Sequence, residues 1–239
     1  TDDGYTWTKI YDLSAASDHD MTNARFINVS MAEVNAEDFP GAFSWHTGKT
    51  TLIYGCGAYR ASNVYLAAIL SADIETKSAM RFLGGFDSGG LPLWSALESN
   101  AASLFSQPQV GEFSVAWISQ VQRWVMLYNA SSPRGITMRT AQVPWGPWSS
   151  GQVIMEPWRD GAYGRYMHVP WGWSRMDAFH DSGRAEDWGG EYGPYLIPRF
   201  TTGDAHTCKI YYTMSTWNPY QVVLMRSEIG EPLPAESTH

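Results

Sequence analysis

The chain repeats one two-strand pattern three times, and this repetition constrains its fold more than any other feature. In each copy an apolar run with an aromatic residue is followed by a short polar link and then by a second strand-like run. The first runs cover residues 52–54, 124–128 and 210–214, and the second runs cover residues 64–69, 136–140 and 222–226. A unit that recurs at a long period is typical of repeat architectures. Because this unit is a β-hairpin, the repetition favours radial assembly, as in a β-propeller.

Further strand-like segments flank each hairpin. A preceding strand is predicted at residues 25–31, 112–118 and 195–200, and a following strand at residues 79–83 and 152–155. Four strands make a propeller blade, so the predicted blades span about residues 24–84, 111–155 and 193–228. The third unit lacks a fourth strand, because the chain ends in proline-rich polar residues. Apolar residues at helical spacing also permit one short helix at residues 93–105.

The N-terminal residues 1–7 (TDDGYTW) resemble an Asp-box, the S/T-x-D-x-G-x-T-W turn of sialidase-type propellers, with one residue fewer. In that turn polar side chains bond backbone N–H groups, the glycine takes the left-handed bend, and the tryptophan packs between sheets. Residues 7–11 are therefore predicted to form an orphan outermost strand. The motif is structural, so we expect no chemistry from Asp2 or Asp3.

The length of the chain does not suffice for a closed ring of such blades. Propellers carry four to eight blades, and hairpins spaced roughly 75 to 85 residues apart would need well over 300 residues for five. The chain has 239 residues. The sequence therefore predicts one β-propeller domain over residues 1–239 or the C-terminal portion of one, with further blades missing or supplied by a second chain. Residues 156–190 fit no strand register and are interpreted as a long irregular insertion that covers one face of the ring.

Charge, hydropathy and spacing exclude several classes of function. A net charge of −8 argues against nucleic-acid binding, which needs a basic surface. No apolar run approaches the roughly 18 residues of a membrane span. No histidine pair or cysteine pair has the spacing of a metal site, so we predict no metal and no cofactor. The tryptophan-rich, lysine-poor composition favours an extracellular location.

Two further sequence features bear on this location without deciding it. A disulfide between Cys56 and Cys208 depends on the distance between two blades, which the sequence leaves open. The triplets Asn28-Val29-Ser30 and Asn129-Ala130-Ser131 would carry glycans only in a secreted eukaryotic protein.

Acidic residues are the best candidates for chemistry. A glycosidase needs two carboxylates, one as acid and the other as base or nucleophile. In a propeller the ligand pocket lies on the axis, at the start of the innermost strands, where Asp20, Glu112 and Glu191 are expected. Glu112 is the leading candidate, because it enters an otherwise apolar strand and partial burial suits a general acid. The alternative is a structural ion pair with an arginine of a neighbouring strand, such as Arg60 or Arg139.

Arginine and aromatic side chains are candidates for substrate binding. Arg60 and Arg139 can orient a substrate hydroxyl or carboxylate, although ion pairing is the favoured role of Arg139. Flat aromatic faces stack on the C–H faces of sugar rings, and packing between sheets is the alternative. The residues expected to stack are Trp94, Trp171, Trp173 and Tyr192.

Four blocks of sequence resemble a known family. They are residues 54–67 (YGCGAYRASNVYLA), residues 111–114 with 123–128, residues 139–149 (RTAQVPWGPWS) and residues 211–226. Together they are similar to the domain of unknown function 4185, a family that includes endo-D-arabinanases acting on mycobacterial arabinogalactan and lipoarabinomannan. The resemblance implies a five-bladed propeller and extends from the Asp-box to about Arg226.

The resemblance carries over only some of the family's residues. Family members have an earlier region, before the Asp-box, where the catalytic aspartates are expected, and this sequence has no counterpart to it. The resemblance implies pocket positions for Arg60, Glu112, Tyr192 and Tyr195, of which only Glu112 suits acid/base chemistry.

The leading hypothesis is therefore a secreted glycoside hydrolase that cleaves furanosidic links in a polysaccharide such as D-arabinan, with carboxylate acid/base catalysis. The expected partner is a polysaccharide or oligosaccharide. The rival hypotheses are a non-catalytic glycan-binding propeller and a structural subunit of an extracellular assembly.

Overall fold

The computed structural model describes residues 4–14, 23–170 and 187–230. This part of the chain holds β-strands and single 3-10 turns, and the strands form three antiparallel sheets. The strands are β1 Asn28–Asn35, β2 Lys49–Cys56, β3 Val64–Leu70, β4 Arg81–Phe86, β5 Pro92–Ser95, β6 Val110–Ile118, β7 Arg123–Ala130, β8 Ile136–Ala141, β9 Gln152–Met155, β10 Gly190–Leu196, β11 Thr202–Gly203, β12 Cys208–Trp217 and β13 Gln221–Ile229. The 3-10 turns are Ala36–Asp38, Ser71–Asp73, Lys77–Ala79, Glu98–Asn100 and Pro198–Phe200. The predicted all-β class is confirmed.

Two compact units make up the chain. The first unit comprises residues 1–58 and 63–103, and the second comprises residues 59–62 and 104–239. All three predicted hairpins are present as the antiparallel pairs β2–β3, β7–β8 and β12–β13. Alternating or continuous apolar runs bounded by turn residues make these pairs visible in the sequence.

The first unit contains a five-stranded meander in the order β1-β2-β3-β4-β5. The second strand of this sheet, β2, is buried along all but its first residue, as its largely apolar sequence TTLIYGC requires. One cluster of its core joins Phe26 and Phe82, whose ring centroids lie 5.4 Å apart, to Ile53, Ile69 and other buried residues.

The prediction of a possible short helix at residues 93–105 is wrong. This segment forms strand β5 and the 3-10 turn Glu98–Asn100 instead. Leu93 and Leu97, two residues of the proposed apolar stripe, are 52% and 61% exposed. A stripe that is not buried gives a helix no tertiary support, whereas β5 gains backbone hydrogen bonds from β4.

The predicted outer strand at residues 7–11 is also wrong. These residues have no regular secondary structure and pair with none of the three described sheets. Trp7 is 78% exposed rather than packed between sheets, and its indole N–H donates to the nearby Gly4 carbonyl at 3.2 Å. A strand needs a neighbouring edge for its backbone groups, and Ile10, which is 56% exposed, finds no apolar surface either.

The second unit contains two sheets. The strands β6-β7-β8-β9 form a meander. In the other sheet β12 pairs with β13 along all but its last residue, and with β10 and β11 at different residues. Since a strand has only two edges, β10 and β11 share one of them, and the sheet is three strands wide. The strand predicted at residues 195–200 in fact runs from Gly190 to Leu196, because Pro198 cannot donate to the ladder.

A core between these two sheets holds the second unit together. Val125, Leu127 and Met138 from one sheet pack in the same buried cluster as Tyr212 and Met214 from the other. The first strands of the two sheets also pack against each other, and the backbone N–H of Leu196 on β10 donates to the Ser114 hydroxyl on β6 at 2.9 Å. The irregular segment 156–170 contributes buried side chains to this core, Ala162, Tyr163, Met167 and Val169.

Candidate functional site

A β-bulge at the start of β6 positions Glu112. Val110 is opposite Ala130 and Phe113 is opposite Tyr128, so two residues, Gly111 and Glu112, face Asn129 alone. Such a bulge interrupts the ladder and re-aims a side chain, which is why bulges recur beside active sites. Any larger residue at position 111 would displace its neighbours, because a Cβ there would lie 2.9 Å from Asn129 Oδ1 and 3.0 Å from the Tyr59 ring.

The segment 59–62 runs beside this bulge and carries Arg60. The Arg60 N–H donates to the Val110 carbonyl at 3.0 Å, and the Val110 N–H donates to the Ser62 carbonyl at 3.1 Å. Arg60 adopts a φ of +52°, a left-handed conformation that is strained for a residue with a Cβ. This backbone lets Arg60 Nη2 reach the Glu191 carbonyl on β10 at 3.4 Å, while its guanidinium lies 5.1 Å from the Tyr59 ring centroid.

Three polar atoms in this cluster are buried without a hydrogen-bond partner in the described part of the chain. They are Glu112 Oε2, Arg60 Nε and Asn129 Oδ1. Buried polar atoms are nearly always paired in folded proteins, and each exception calls for an explanation such as a ligand or water. We refer to Tyr59, Arg60, Glu112 and Asn129 as the candidate site.

The charges of this cluster affect the pKa of Tyr59. Burial raises the pKa of its phenol, and the negative charge of Glu112 raises that pKa further. A hydrogen bond with Asn129 and the charge of Arg60 act in the opposite direction. The Tyr59 side chain is nevertheless 48% exposed, so one part of the ring faces solvent while its hydroxyl lies 3.5 Å from Asn129 Nδ2.

Glu191 occupies a different environment, as a buried partner of Arg134. The residue is 3% exposed, and its carboxylate accepts from Arg134 Nη2 at 3.3 Å and from the Gly135 N–H at 2.9 Å. Arg134 Nη2 also donates to the Gly189 carbonyl at 2.9 Å. Such charge-assisted bonds fix the start of β10, which carries the carbonyl that Arg60 contacts.

The contacts of Arg139 indicate a structural role. Its Nε donates to the Tyr128 hydroxyl at 3.1 Å, and its guanidinium lies 4.2 Å from the Phe105 ring centroid. Arg139 also bonds the Ser149 carbonyl. Cation–π contact and backbone bonds hold it, and no carboxylate in the described residues forms the ion pair that the sequence favoured.

The aromatic candidates are dispersed. Trp94 lies in the first unit, where it stacks on Phe43 with centroids 5.7 Å apart and donates its indole N–H to the Ala42 carbonyl at 2.8 Å. Tyr192 is half-buried and Tyr195 is 66% exposed, on either side of a bulge in β10. Asp20, Trp171 and Trp173 lie outside the described residues.

Sequence reasoning missed Tyr59, Asn129 and Arg134. Tyr59 stands beside the predicted Arg60, and proximity to that residue was the available signal. Asn129 drew notice only as a glycosylation triplet, yet it is 0% exposed, and glycosylation in the folded state is therefore ruled out at this position. Arg134 lies in the turn between β7 and β8, and its partner is 57 residues away in sequence, so no local pattern indicates the pair.

The described residues contain neither a metal-binding cluster nor a membrane-spanning helix. No group of three or more His, Cys, Asp or Glu side chains is arranged to hold a metal ion there. Within the same ranges, no helix has the length and apolar character to cross a bilayer. Neither Cys56 nor Cys208 forms a disulfide, and both are fully buried.

The chain belongs to the family described as domain of unknown function (DUF4185), whose model matches residues 1–226. No curated protein matches the chain significantly. Among solved structures, it is similar to the exo-β-1,3-galactanase of Phanerochaete chrysosporium bound to β-1,3-galactotriose, at 14% identity and a TM-score of 0.37. That alignment covers 90% of this chain and 42% of the galactanase chain, and a similarity of this size establishes neither fold nor activity.

Proposed function

We propose that this protein is a carbohydrate-active protein, and specifically a secreted glycoside hydrolase that cleaves furanosidic links in a polysaccharide such as D-arabinan. The observation that carries the proposal is the set of three buried, unpartnered polar atoms beside Tyr59. Membership in the family supports the substrate class, since the resemblance read from the sequence implies D-arabinan.

The polar atoms of the candidate site match the chemistry of sugar hydroxyls. Glu112 Oε2 and Asn129 Oδ1 are acceptors, whereas Arg60 Nε is a donor. A hydroxyl both donates and accepts, so two or three neighbouring hydroxyls would satisfy all of these atoms. A phosphate would offer acceptors only, and would leave Glu112 opposed by a like charge. The half-exposed ring of Tyr59 adds a flat face on which a sugar can stack.

In the proposed reaction Glu112 supplies one of the two carboxylates. A protonated carboxyl gives its proton to the leaving oxygen, and a second carboxylate acts as base toward water or as nucleophile. Glu191 is a poor second carboxylate, because Arg134 and the Gly135 N–H already bond its oxygens. We therefore assign the second role to Asp20, which the predicted strand register places near the start of an innermost strand, or to an acidic residue of the region in which the resemblance places the family's catalytic aspartates.

The architecture that we propose for this reaction is a five-bladed β-propeller. Three antiparallel sheets support it, as does the side-by-side packing of β6 and β10, which resembles that of innermost strands in adjacent blades. The proposal would be wrong if a crystal structure showed the three sheets without a common axis.

The decisive experiment compares two Glu→Gln variants for release of oligosaccharides from D-arabinan. Glu112→Gln should reduce product release at least about 100-fold, the usual contribution of an acid/base group, with unchanged thermal unfolding. The matched control Glu228→Gln removes only an exposed contact to Lys209 at 3.8 Å and should retain full activity. Unchanged turnover in Glu112→Gln would exclude Glu112 as an acid or base.

A glycan-binding function without catalysis is the second candidate. It is favoured by one observation, that Glu191 is committed to its ion pair with Arg134. This candidate predicts that the wild-type chain binds arabino-oligosaccharides but releases no new reducing ends from arabinan. In that case Arg60→Gln should weaken binding, because Arg60 Nε is the hydrogen-bond donor among the three unpartnered atoms of the candidate site.

A further inference from the structure

A second candidate binding place lies in the segment between β9 and β10, separate from the side chains of the candidate site. There a cavity of about 570 Å³ opens beside residues 158–165. We call it the Trp158 pocket. Its lining residues are Trp158, Arg159, Asp160, Gly161, Tyr163, Gly164 and Arg165.

The wall of this pocket is preformed. Its backbone closes on itself, because the Ala162 N–H donates to the Pro157 carbonyl at 2.9 Å and the Arg165 N–H donates to the Ala162 carbonyl at 3.1 Å. Ala162, Tyr163 and Met167 are at most 1% exposed and belong to the core of the second unit. A ligand would therefore meet an ordered surface, which lowers the entropic cost of binding.

The Trp158 side chain forms an exposed aromatic wall in a fixed position. It is 44% exposed, although its ring centroid lies 4.6 Å from that of Tyr163 and 5.2 Å from that of Trp188. These two contacts restrain the indole, and 44% of the residue's surface is exposed to solvent. A restrained, partly exposed indole is a suitable platform for the apolar face of a sugar ring.

The charges of the pocket are unequal. Arg159 and Asp160 form a close pair, with Nη2 and Oδ2 2.8 Å apart, and the hydrogen bond from Arg159 lowers the pKa of the Asp160 carboxyl. The two charges offset each other. Arg165 has no carboxylate within ion-pair distance in the described ranges, and its guanidinium lies 3.7 Å from the place where a Cβ on Gly161 would be. Within the described ranges, Arg165 is therefore the arginine of the pocket that is left without an ion-pair partner, in a chain whose net charge is −8.

We propose that the Trp158 pocket binds a sugar residue that carries an anionic group, with its ring on the Trp158 indole and its anionic group on the Arg165 guanidinium. The planar guanidinium suits both a uronate carboxylate and an ester phosphate or sulfate. This inference goes beyond the proposed function, because it assigns a second site and does not require hydrolysis at Glu112.

The test measures the affinity of the purified chain for three small probes by ligand-observed NMR. The probes are methyl β-D-glucuronide, glucose 6-sulfate and the neutral methyl β-D-glucoside. The wild-type chain should bind at least one anionic probe about tenfold more tightly than the neutral probe, since a charge-assisted hydrogen bond contributes at least that factor. The two anionic probes distinguish a carboxylate from a sulfate as the group recognised. Raising the salt concentration to 0.5 M should reduce the difference.

Three variants localise the binding. Arg165→Gln should bring the anionic probe to the affinity of the neutral one, and Trp158→Ala should weaken both probes. Trp158→Phe, which keeps an aromatic ring, should bind better than Trp158→Ala, and this difference separates stacking from a local loss of structure. Arg226→Gln, which removes an exposed arginine on β13, is the matched control and should bind as the wild type does.

Equal affinity for charged and neutral probes would overturn the proposal, as would anion binding that survives Arg165→Gln. A Glu112→Gln chain should still bind the anionic probe. This comparison separates binding in the Trp158 pocket from hydrolysis at Glu112. A chain that does not hydrolyse arabinan could still bind the anionic probe, and a chain whose Trp158 pocket binds no probe could still hydrolyse arabinan.

Discussion

At the scale of single residues, the ion pair with Arg134 stabilises the buried carboxylate of Glu191 in the second unit. Glu191 is 3% exposed, whereas the Arg134 side chain is 45% exposed and lies 5.5 Å from the Tyr163 ring centroid. The pair links the β7–β8 turn to β10. Since β10 carries the carbonyl bonded by Arg60, the pair also positions one side of the candidate site.

The first prediction concerns this pair. Arg134→Gln should destabilise the chain by about 2 kcal/mol, because it leaves a buried carboxylate without its cation. Removing one partner of a fully buried pair costs about 3–5 kcal/mol, and the half-exposed arginine lowers that figure through solvent screening. Urea unfolding measures the effect. Lys209→Gln, which breaks an exposed pair at 3.8 Å, should change the free energy of unfolding by less than about 1 kcal/mol. Equal effects of the two substitutions would contradict the structural role of Glu191.

At the scale of elements, tight turns fix the registers on which the sheets depend. The β7–β8 turn contains Gly135 with a φ of +111°, and a Cβ there would lie 2.1 Å from the Met155 carbonyl oxygen on β9. The turn and the neighbouring strand thus approach more closely than any side chain permits.

Gly135→Ala should therefore destabilise the second unit by at least about 2 kcal/mol, from backbone strain together with the clash against β9. Gly190→Ala is the matched control, because a Cβ at Gly190 meets no atom within 4 Å. Denaturant unfolding of both variants provides the measurement. If Gly135→Ala proved as stable as Gly190→Ala, the close approach of the β7–β8 turn to β9 would be contradicted.

Strand β12 carries a titratable group that couples stability to alkaline pH. Burial raises the pKa of the Tyr212 phenol to about 12 from its ordinary value of 10.0, and its hydroxyl lies 3.2 Å from that of Ser227 on β13. Above pH 10 the unfolded chain loses this proton while the folded chain keeps it. The contribution is therefore fully present below pH 10 and is lost as the pH rises to about 12.

Tyr212→Phe should flatten the decline in stability between pH 9 and pH 11.5. A difference of two pKa units corresponds to about 2.7 kcal/mol, which is an upper limit for the effect. Urea unfolding at several pH values measures it. Tyr220→Phe, which changes a 64% exposed tyrosine, should follow the wild-type pH profile. Parallel profiles for all three chains would show that Tyr212 does not carry the dependence.

At the scale of the whole molecule, neither cysteine takes part in a disulfide. Cys56 lies in the first unit and Cys208 in the second, and both are 0% exposed. The disulfide that the sequence left open is therefore absent from the fold. If the protein is secreted, as we propose, burial is what keeps these two thiols reduced.

Two thiols should accordingly react with an alkylating reagent in denaturant without prior reduction, and none should react within minutes in the native chain. Intact mass after each treatment gives the count. The melting temperature should be the same with and without a reductant. If neither thiol reacted in denaturant without reduction, the two cysteines would be joined by a disulfide, and the prediction would be contradicted.

The sequence by itself determined the β-hairpins and the all-β class, because both follow from local signals. Apolar runs and the turn residues between them are patterns that span only about ten positions. The hairpins β2–β3, β7–β8 and β12–β13 could therefore be predicted. The same local reasoning failed for residues 7–11 and 93–105, where a strand or helix would have needed burial that the fold does not supply.

Only the tertiary structure decided which side chains meet. Glu112 and Arg60 were predicted singly, but a bulge opposite Asn129 and a left-handed backbone at Arg60 bring them to Tyr59. Arg60 bonds a carbonyl 131 residues away, and Arg134 finds its carboxylate 57 residues away. Contacts over such separations depend on how strands from different hairpins pack, and strand packing is a property of the folded chain that no local pattern records.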